Sequence, residues 1–209
     1  MNGFDFECII FDLDGTLIDS EPLCAQAYLD TIPELNMTRD EVVLDFRGQK
    51  FADLVQRIQT KYRLNLPTGY EKTYRRQVAV LMDAHLRSFP HVASVLSKIS
   101  VDMCIGSNAP LVKIRHSLAL THLASFFGDK IFSAYEINAW KPSPAVFLHA
   151  AEKMGYAPSQ CIVIEDSQVG LQAAQAAGMR SLQFAPDTKT SNEKSFHHYD
   201  HLIEKLAHI

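Results

Sequence analysis

Sulfur and surplus positive charge are both scarce in this sequence. Its four cysteines, Cys8, Cys24, Cys104 and Cys161, form no CxxC pair and show no disulfide-dense spacing. Three of them lie in apolar, strand-like runs, which reads as buried free thiols in a reducing cytoplasm. No apolar run approaches the ~18 residues that a membrane helix needs, and the N-terminus has neither the basic n-region nor the apolar h-region of a secretory signal. The formal net charge is -4, so the chain is not built to coat nucleic acid or a membrane surface. Internal repeats and low-complexity segments are also missing. What remains is a 209-residue chain, 47% hydrophobic, long enough for one large domain or for a core domain with a smaller companion. A monomer is the default expectation.

The chain is organised around Cys8-Ile9-Ile10-Phe11-Asp12-Leu13-Asp14-Gly15-Thr16. A short unbroken apolar run bounded by Gly reads as a strand covered on both faces, as in a parallel sheet. Asp12 and Asp14 fall at its carboxyl end, where open α/β sheets place their active crevice. A carboxylate there can serve as metal ligand, base or nucleophile.

From there to about residue 89 no buried-strand run occurs. Apolar residues recur instead at helical spacing over 23–32, 39–46, 51–62 and 70–86, as in Leu54, Ile58 and Tyr62. Ser20 is placed to cap the first of these helices, with Pro22 in its first turn. Pro90 begins a second regime: strands over 101–106, 130–134, 161–164 and 181–184 alternate with helices over 92–99, 109–120, 142–154 and 169–177. Gly178 is positioned to end a helix in a left-handed turn, and a polar tail becomes weakly helical over 202–207. Alternation of this kind predicts βαβ units, a parallel sheet and right-handed crossovers. The expected architecture is a doubly wound α/β core, residues 1–16 and 89–209, carrying an inserted helical cap domain, residues 17–88.

Four groups of polar residues then fall at strand ends: Asp12 with Asp14, Ser107 with Asn108, Lys141, and Glu165 with Asp166. Pro142 biases Lys141 to extended geometry, so the lysine precedes its helix. Several acids facing one another imply a cation, and oxygen ligands suit Mg²⁺. Lys141 adds positive charge, while Ser107 and Asn108 offer donors to phosphate oxygens. That combination suits phosphoryl transfer, which needs little beyond positioning and charge neutralisation.

The DxDGT string, then Ser after a strand, then Lys, then a paired acidic motif resembles the haloacid dehalogenase-like phosphotransferases, over nearly the whole chain. The helical insert resembles the cap of the β-phosphoglucomutase-like subfamily. Ser107-Asn108-Ala109-Pro110 and Phe46-Arg47-Gly48-Gln49-Lys50 look most like bacterial 6-phosphogluconate phosphatase-like members. The resemblance implies that Asp12 is the nucleophile, forming an aspartyl-phosphate, and that Asp14 is the general acid and then the base for water. It implies Mg²⁺ held by Asp12, the backbone carbonyl of Asp14, and Asp166, with Glu165 as ligand or through water. Ser107, Asn108 and Lys141 would hold the phosphoryl group. Arg47, Gly48 and Lys50 form a basic loop that would select a small phosphorylated sugar or sugar acid, 6-phosphogluconate among them.

Plainer readings compete at each position. A calcium loop starting at Asp12 would want Glu where Leu23 stands. A phosphoreceiver or other non-catalytic module would need neither the helical insert nor Lys141 and two downstream acids. Asp166 alone could cap the following helix, Arg75 and Arg76 could be solvated, and Arg47, Gly48 and Lys50 could be an ordinary helix connection. His197, His198 and His201 read as a polar surface segment and not as a zinc site. A sugar-phosphate mutase is the alternative within the same subfamily. β-Phosphoglucomutases carry a cap histidine near the place that Cys24 occupies here, and this departure favours a phosphatase.

Overall fold

The computed structural model describes residues 5–46, 50–186 and 193–209. Six strands among these residues form one sheet: β1 Cys8–Phe11, β2 Asp102–Ser107, β3 Ile131–Ser133, β4 Cys161–Glu165, β5 Arg180–Phe184 and β6 Ser195–Phe196. All neighbours pair parallel, in the order β3-β2-β1-β4-β5-β6. Side chains alternate across the pleat. Ile9, Phe11, Ile105, Ile162 and Ile164 bury on one face, while Cys8, Ile10, Cys104, Cys161 and Val163 bury on the other. Two covered faces are why these strands are apolar without interruption.

Four helices are inserted between β1 and β2: α1 Glu21–Thr31, α2 Arg39–Phe46, α3 Phe51–Tyr62 and α4 Tyr70–His85. Among the described residues seven follow: α5 Val92–Leu96, α6 Leu111–Leu120, α7 Ala124–Phe127, α8 Ala134–Ile137, α9 Ala145–Met154, α10 Gln168–Ala176 and α11 Leu202–Leu206. Helices α9 and α10 cover one face of the sheet with Phe147, Ala150, Ala173 and Ala174. Leu118 of α6, Phe127 of α7 and Leu202 of α11 cover the other. Strands β2 and β4 flank β1 on opposite sides, so the chain reverses its winding there and opens a crevice at the carboxyl end of β1. Helix α4 buries Tyr70, Tyr74, Val78 and Met82, one stripe at four-residue spacing. Tyr74 stacks on Tyr28 of α1 with ring centroids 4.1 Å apart. Among the described residues no helix is long and apolar enough to cross a membrane.

Several local expectations change. Ser20 does precede α1, with Pro22 in the first turn, but its hydroxyl caps nothing and donates to Asp14 instead. Ser167, not Asp166, caps α10, accepting from the Gly170 amide at 3.2 Å. Helix α8, opened by a Ser133–Glu136 capping box, is too short to leave a periodic signature. The tail is more built-in than its polarity suggests. It supplies β6 and the buried Phe196 and Tyr199, which pack with Phe184.

Candidate active site

Every polar group anticipated at a strand end reaches the same crevice. Asp12 follows β1, Ser107 closes β2, Glu165 closes β4, and Asp166 comes next. Asp12, Ser107, Lys141, Glu165 and Asp166 are all buried. The Lys141 ammonium donates to Asp12 Oδ1 at 2.5 Å and to Glu165 Oε2 at 2.7 Å. Its backbone amide donates to Asn108 Oδ1 at 2.9 Å, so Asn108 shapes the lysine loop as well as facing the cavity. Glu165 Oε1 accepts from the amides of Asp166 and Ser167 and from the Ser167 hydroxyl. With both oxygens engaged, Glu165 acts here as the anchor of Lys141. Gly170 makes room for that anchor: a Cβ at Gly170 would fall 2.0 Å from the Glu165 carboxyl carbon.

Asp166 is held from a third direction. Thr16 Oγ1 donates to its Oδ1 at 3.0 Å, and the Thr16 carbonyl accepts from the buried Tyr199 hydroxyl at 2.9 Å. The tail of the chain thereby braces Asp166, a link invisible in sequence because it spans 183 positions. Gly15 adopts φ +80°, and a Cβ there would meet Asp166 Oδ2 at 2.6 Å. Glycine is therefore required both by the backbone and by the space the carboxylate occupies.

The donor set fits a divalent cation. Asp12, Glu165 and Asp166 each offer an oxygen, and these lie within 4.8 Å of one another. The one buried ammonium reaches Asp12 and Glu165 but leaves three carboxylates with excess negative charge, and hard oxygen donors with that excess suit Mg²⁺. The same excess shapes the proton affinities. Burial and the Glu165 carboxylate push the Asp12 carboxyl well above its ordinary value, and Lys141 only partly offsets them. Burial alone would lower Lys141, yet Asp12 and Glu165 hold it above the usual lysine range.

Asp14 differs. Burial would raise it, but the Lys113 ammonium at 2.7 Å and the Ser20 hydroxyl at 2.5 Å hold it below the usual carboxylate value. Neither Lys113 nor Ser20 was anticipated as a site residue. The only hint of Lys113 in sequence is a cation in the first turn of α6, against the helix dipole.

Above these groups lies a cavity of about 520 Å³. Its far wall comes from α1–α4: Tyr28, Phe51 and Tyr74 contribute rings, and Lys50 and Arg75 contribute cations. Lys50 Nζ stands 4.2 Å over the Trp140 ring. Arg75 donates to the Tyr135 hydroxyl at 2.7 Å and to Glu71. Arg47 and Gly48, the other expected cap residues, lie outside the described residues. Cys24 also lines the cavity, and burial pushes its thiol up to about 11. His197, by contrast, is turned to the Ala185 carbonyl.

The haloacid dehalogenase-like hydrolase family profile matches residues 9–184. A 6-phosphogluconate phosphatase from Escherichia coli is 38% identical over 184 residues, covering 87% of this chain and 83% of that one. A fructose-1-phosphate phosphatase, also from Escherichia coli, is 29% identical over 174 residues, covering 82% and 92%. Among solved structures, a haloacid dehalogenase-like protein of unknown function from Agrobacterium tumefaciens superposes with a TM-score of 0.84 at 26% identity, covering 97% of this chain and 98% of that one. The chain belongs to the haloacid dehalogenase-like hydrolase family. Within it, the chain is a phosphoric monoester hydrolase, in line with the named phosphatases it resembles.

Proposed function

We propose that the protein is a Mg²⁺-dependent phosphatase of a small phosphorylated sugar or sugar acid, with 6-phosphogluconate the first candidate, working through an aspartyl-phosphate on Asp12. The observation that supports this most is the convergence of Asp12, Lys141, Glu165 and Asp166 at the carboxyl edge of one parallel sheet. Asp12 and Asp166 would hold the metal with the Asp14 carbonyl, and Glu165 would serve as a further ligand or keep its hold on Lys141. Bound there, Mg²⁺ would neutralise charge on the phosphoryl oxygens.

The rest is done by side chains. An Asp12 oxygen attacks phosphorus, and Lys141, Ser107 and Asn108 bind and orient the transferring group. Asp14 protonates the departing alcohol oxygen. It then takes a proton from the water that attacks phosphorus and frees Asp12. The segment α1–α4 acts as a cap domain that closes over the crevice and excludes bulk water. Lys50, with Arg47 and Gly48, reads the anionic end of the substrate.

A sugar acid is favoured over a neutral sugar by the two cations on the cap wall, Lys50 and Arg75, and by the identity to the 6-phosphogluconate phosphatase. Hydrolysis is favoured over mutase chemistry by Cys24, which lines the cavity near the place where β-phosphoglucomutases carry a cap histidine. A phosphate-release screen over sugar phosphates, sugar-acid phosphates and nucleotides, with and without chelator, tests the reading. Chelator-sensitive release, fastest from a phosphorylated sugar acid, is expected. An isomeric sugar phosphate formed without free phosphate would overturn it in favour of a mutase.

A further inference from the structure

Two hydrogen bonds reach the Asp14 side chain, and both end on one oxygen. Ser20 Oγ donates to Oδ1 from the start of α1, and Lys113 Nζ donates to the same atom from α6. Oδ2 takes no hydrogen bond from the described residues. The carboxylate lines the cavity and is one-fifth exposed.

Lys113 occupies a place that a lysine does not choose for itself. It is the third residue of α6, after the N-cap Pro110, where the helix dipole opposes a cation. Its side chain is only 20% exposed, in contact with Asp14, and lines the same corner of the cavity as Glu21 and Cys24. Burial and dipole both disfavour the charge there, and the carboxylates of Asp14 and Glu21 offset them.

We propose that Lys113 is a positioning residue for proton transfer: it grips Asp14 by Oδ1 so that Oδ2 is presented to the leaving-group oxygen. The inference rests on the acid–base role given to Asp14 above. In the acid form of Asp14, Oδ1 stays with Lys113 and Ser20 and the proton sits on Oδ2. As the phosphorus–oxygen bond breaks, its electron pair goes to the alcohol oxygen, which takes that proton, while an Asp12 oxygen forms the new bond to phosphorus. A carboxyl group free to turn would present either oxygen or neither, and proton transfer demands hydrogen-bond reach.

Leaving-group dependence separates this role from a merely structural one. An alkyl alcohol departs poorly without a proton, whereas p-nitrophenolate departs readily without one. Lys113→Met is expected to lower kcat/KM about tenfold on a sugar phosphate and less than about threefold on p-nitrophenyl phosphate. Lys113→Arg should restore most of the loss. In an Asp14→Asn background, Lys113→Met should cost nothing further. Where Lys113→Met folds poorly, Lys113→Gln carries the same expectation. An equal loss on both substrates, or a further loss in the Asp14→Asn background, overturns the proposal. Asp14→Asn alone identifies the other failure: without a leaving-group preference in that variant, Asp14 is not the acid, and the role of Lys113 falls with it.

Discussion

The cavity has two unlike walls. Along the sheet edge every charge is held by another group: Lys141 between Asp12 and Glu165, Asp166 under Thr16, Asp14 between Lys113 and Ser20. Across from it, α1–α4 present rings that stack on one another, Tyr28 on Tyr74 and Phe51 against both. Cations there rest on aromatic faces, as Lys50 does on Trp140 and Arg75 on Tyr135. Directional bonds in a low-dielectric crevice fix atoms to within fractions of an ångström and tolerate little change. Stacking and cation–π contacts are broad in geometry and can be rearranged at small cost. The first wall suits chemistry that does not vary, and the second suits a choice of substrate that does.

The largest test of that contrast is Asp12→Asn. It keeps shape but removes the proposed nucleophile, and phosphate release should fall at least about 10⁴-fold. Full activity in this variant would remove the nucleophile from the sheet wall. Gly170→Ala comes next. Its methyl group would overlap the Glu165 carboxyl, so urea unfolding should show a loss of about 1–3 kcal/mol, with turnover falling as Lys141 loses its anchor. Unchanged stability would mean that the edge yields more easily than its hydrogen bonds suggest.

On the facing wall the expected effects are smaller and confined to binding. Arg75→Ala should raise KM about tenfold for a sugar-acid phosphate, with kcat held, and leave p-nitrophenyl phosphate kinetics unmoved. Equal changes on both substrates would make Arg75 a structural strut to Tyr135. Away from both walls, Asp102 accepts from Lys130 at 2.6 Å and from Tyr156 at 2.7 Å, and these partners hold its carboxyl below the ordinary value. Its contribution is therefore present above about pH 4 and lost as pH falls through the folded value. Because the pair is half exposed, Asp102→Asn should cost less than about 1 kcal/mol at neutral pH and nothing in strong acid. A cost that persists unchanged at pH 2 would contradict the ionic origin.

Much of this molecule was legible before folding was considered. The apolar runs ending in Asp12, Ser107 and Glu165 marked both the strands and the site, because a strand buried on two faces can change to polar residues only where it leaves the sheet. The helical insert was equally plain from its spacing. Lys113, Ser20, Thr16 and Tyr199 were not, since each looks like an ordinary helix, cap or tail residue until its partner is known. Ser20 is the clearest case: its position predicts a helix cap, yet a carboxylate at 2.5 Å competes better for its hydroxyl than a helix amide does. Helix α8 and strand β6 were missed because four and two residues carry no period.

By itself, then, the order of residues determined the parallel α/β core, the helical insertion and the set of acids and lysine that meet in the crevice. Those features depend on local pattern, which survives in one dimension. Only the tertiary structure decided which oxygen of Asp14 is gripped, that Glu165 anchors Lys141, and that the tail braces Asp166 through Tyr199 and Thr16. Those are contacts between residues far apart in the chain, and nothing in a local pattern reports who the distant neighbour will be.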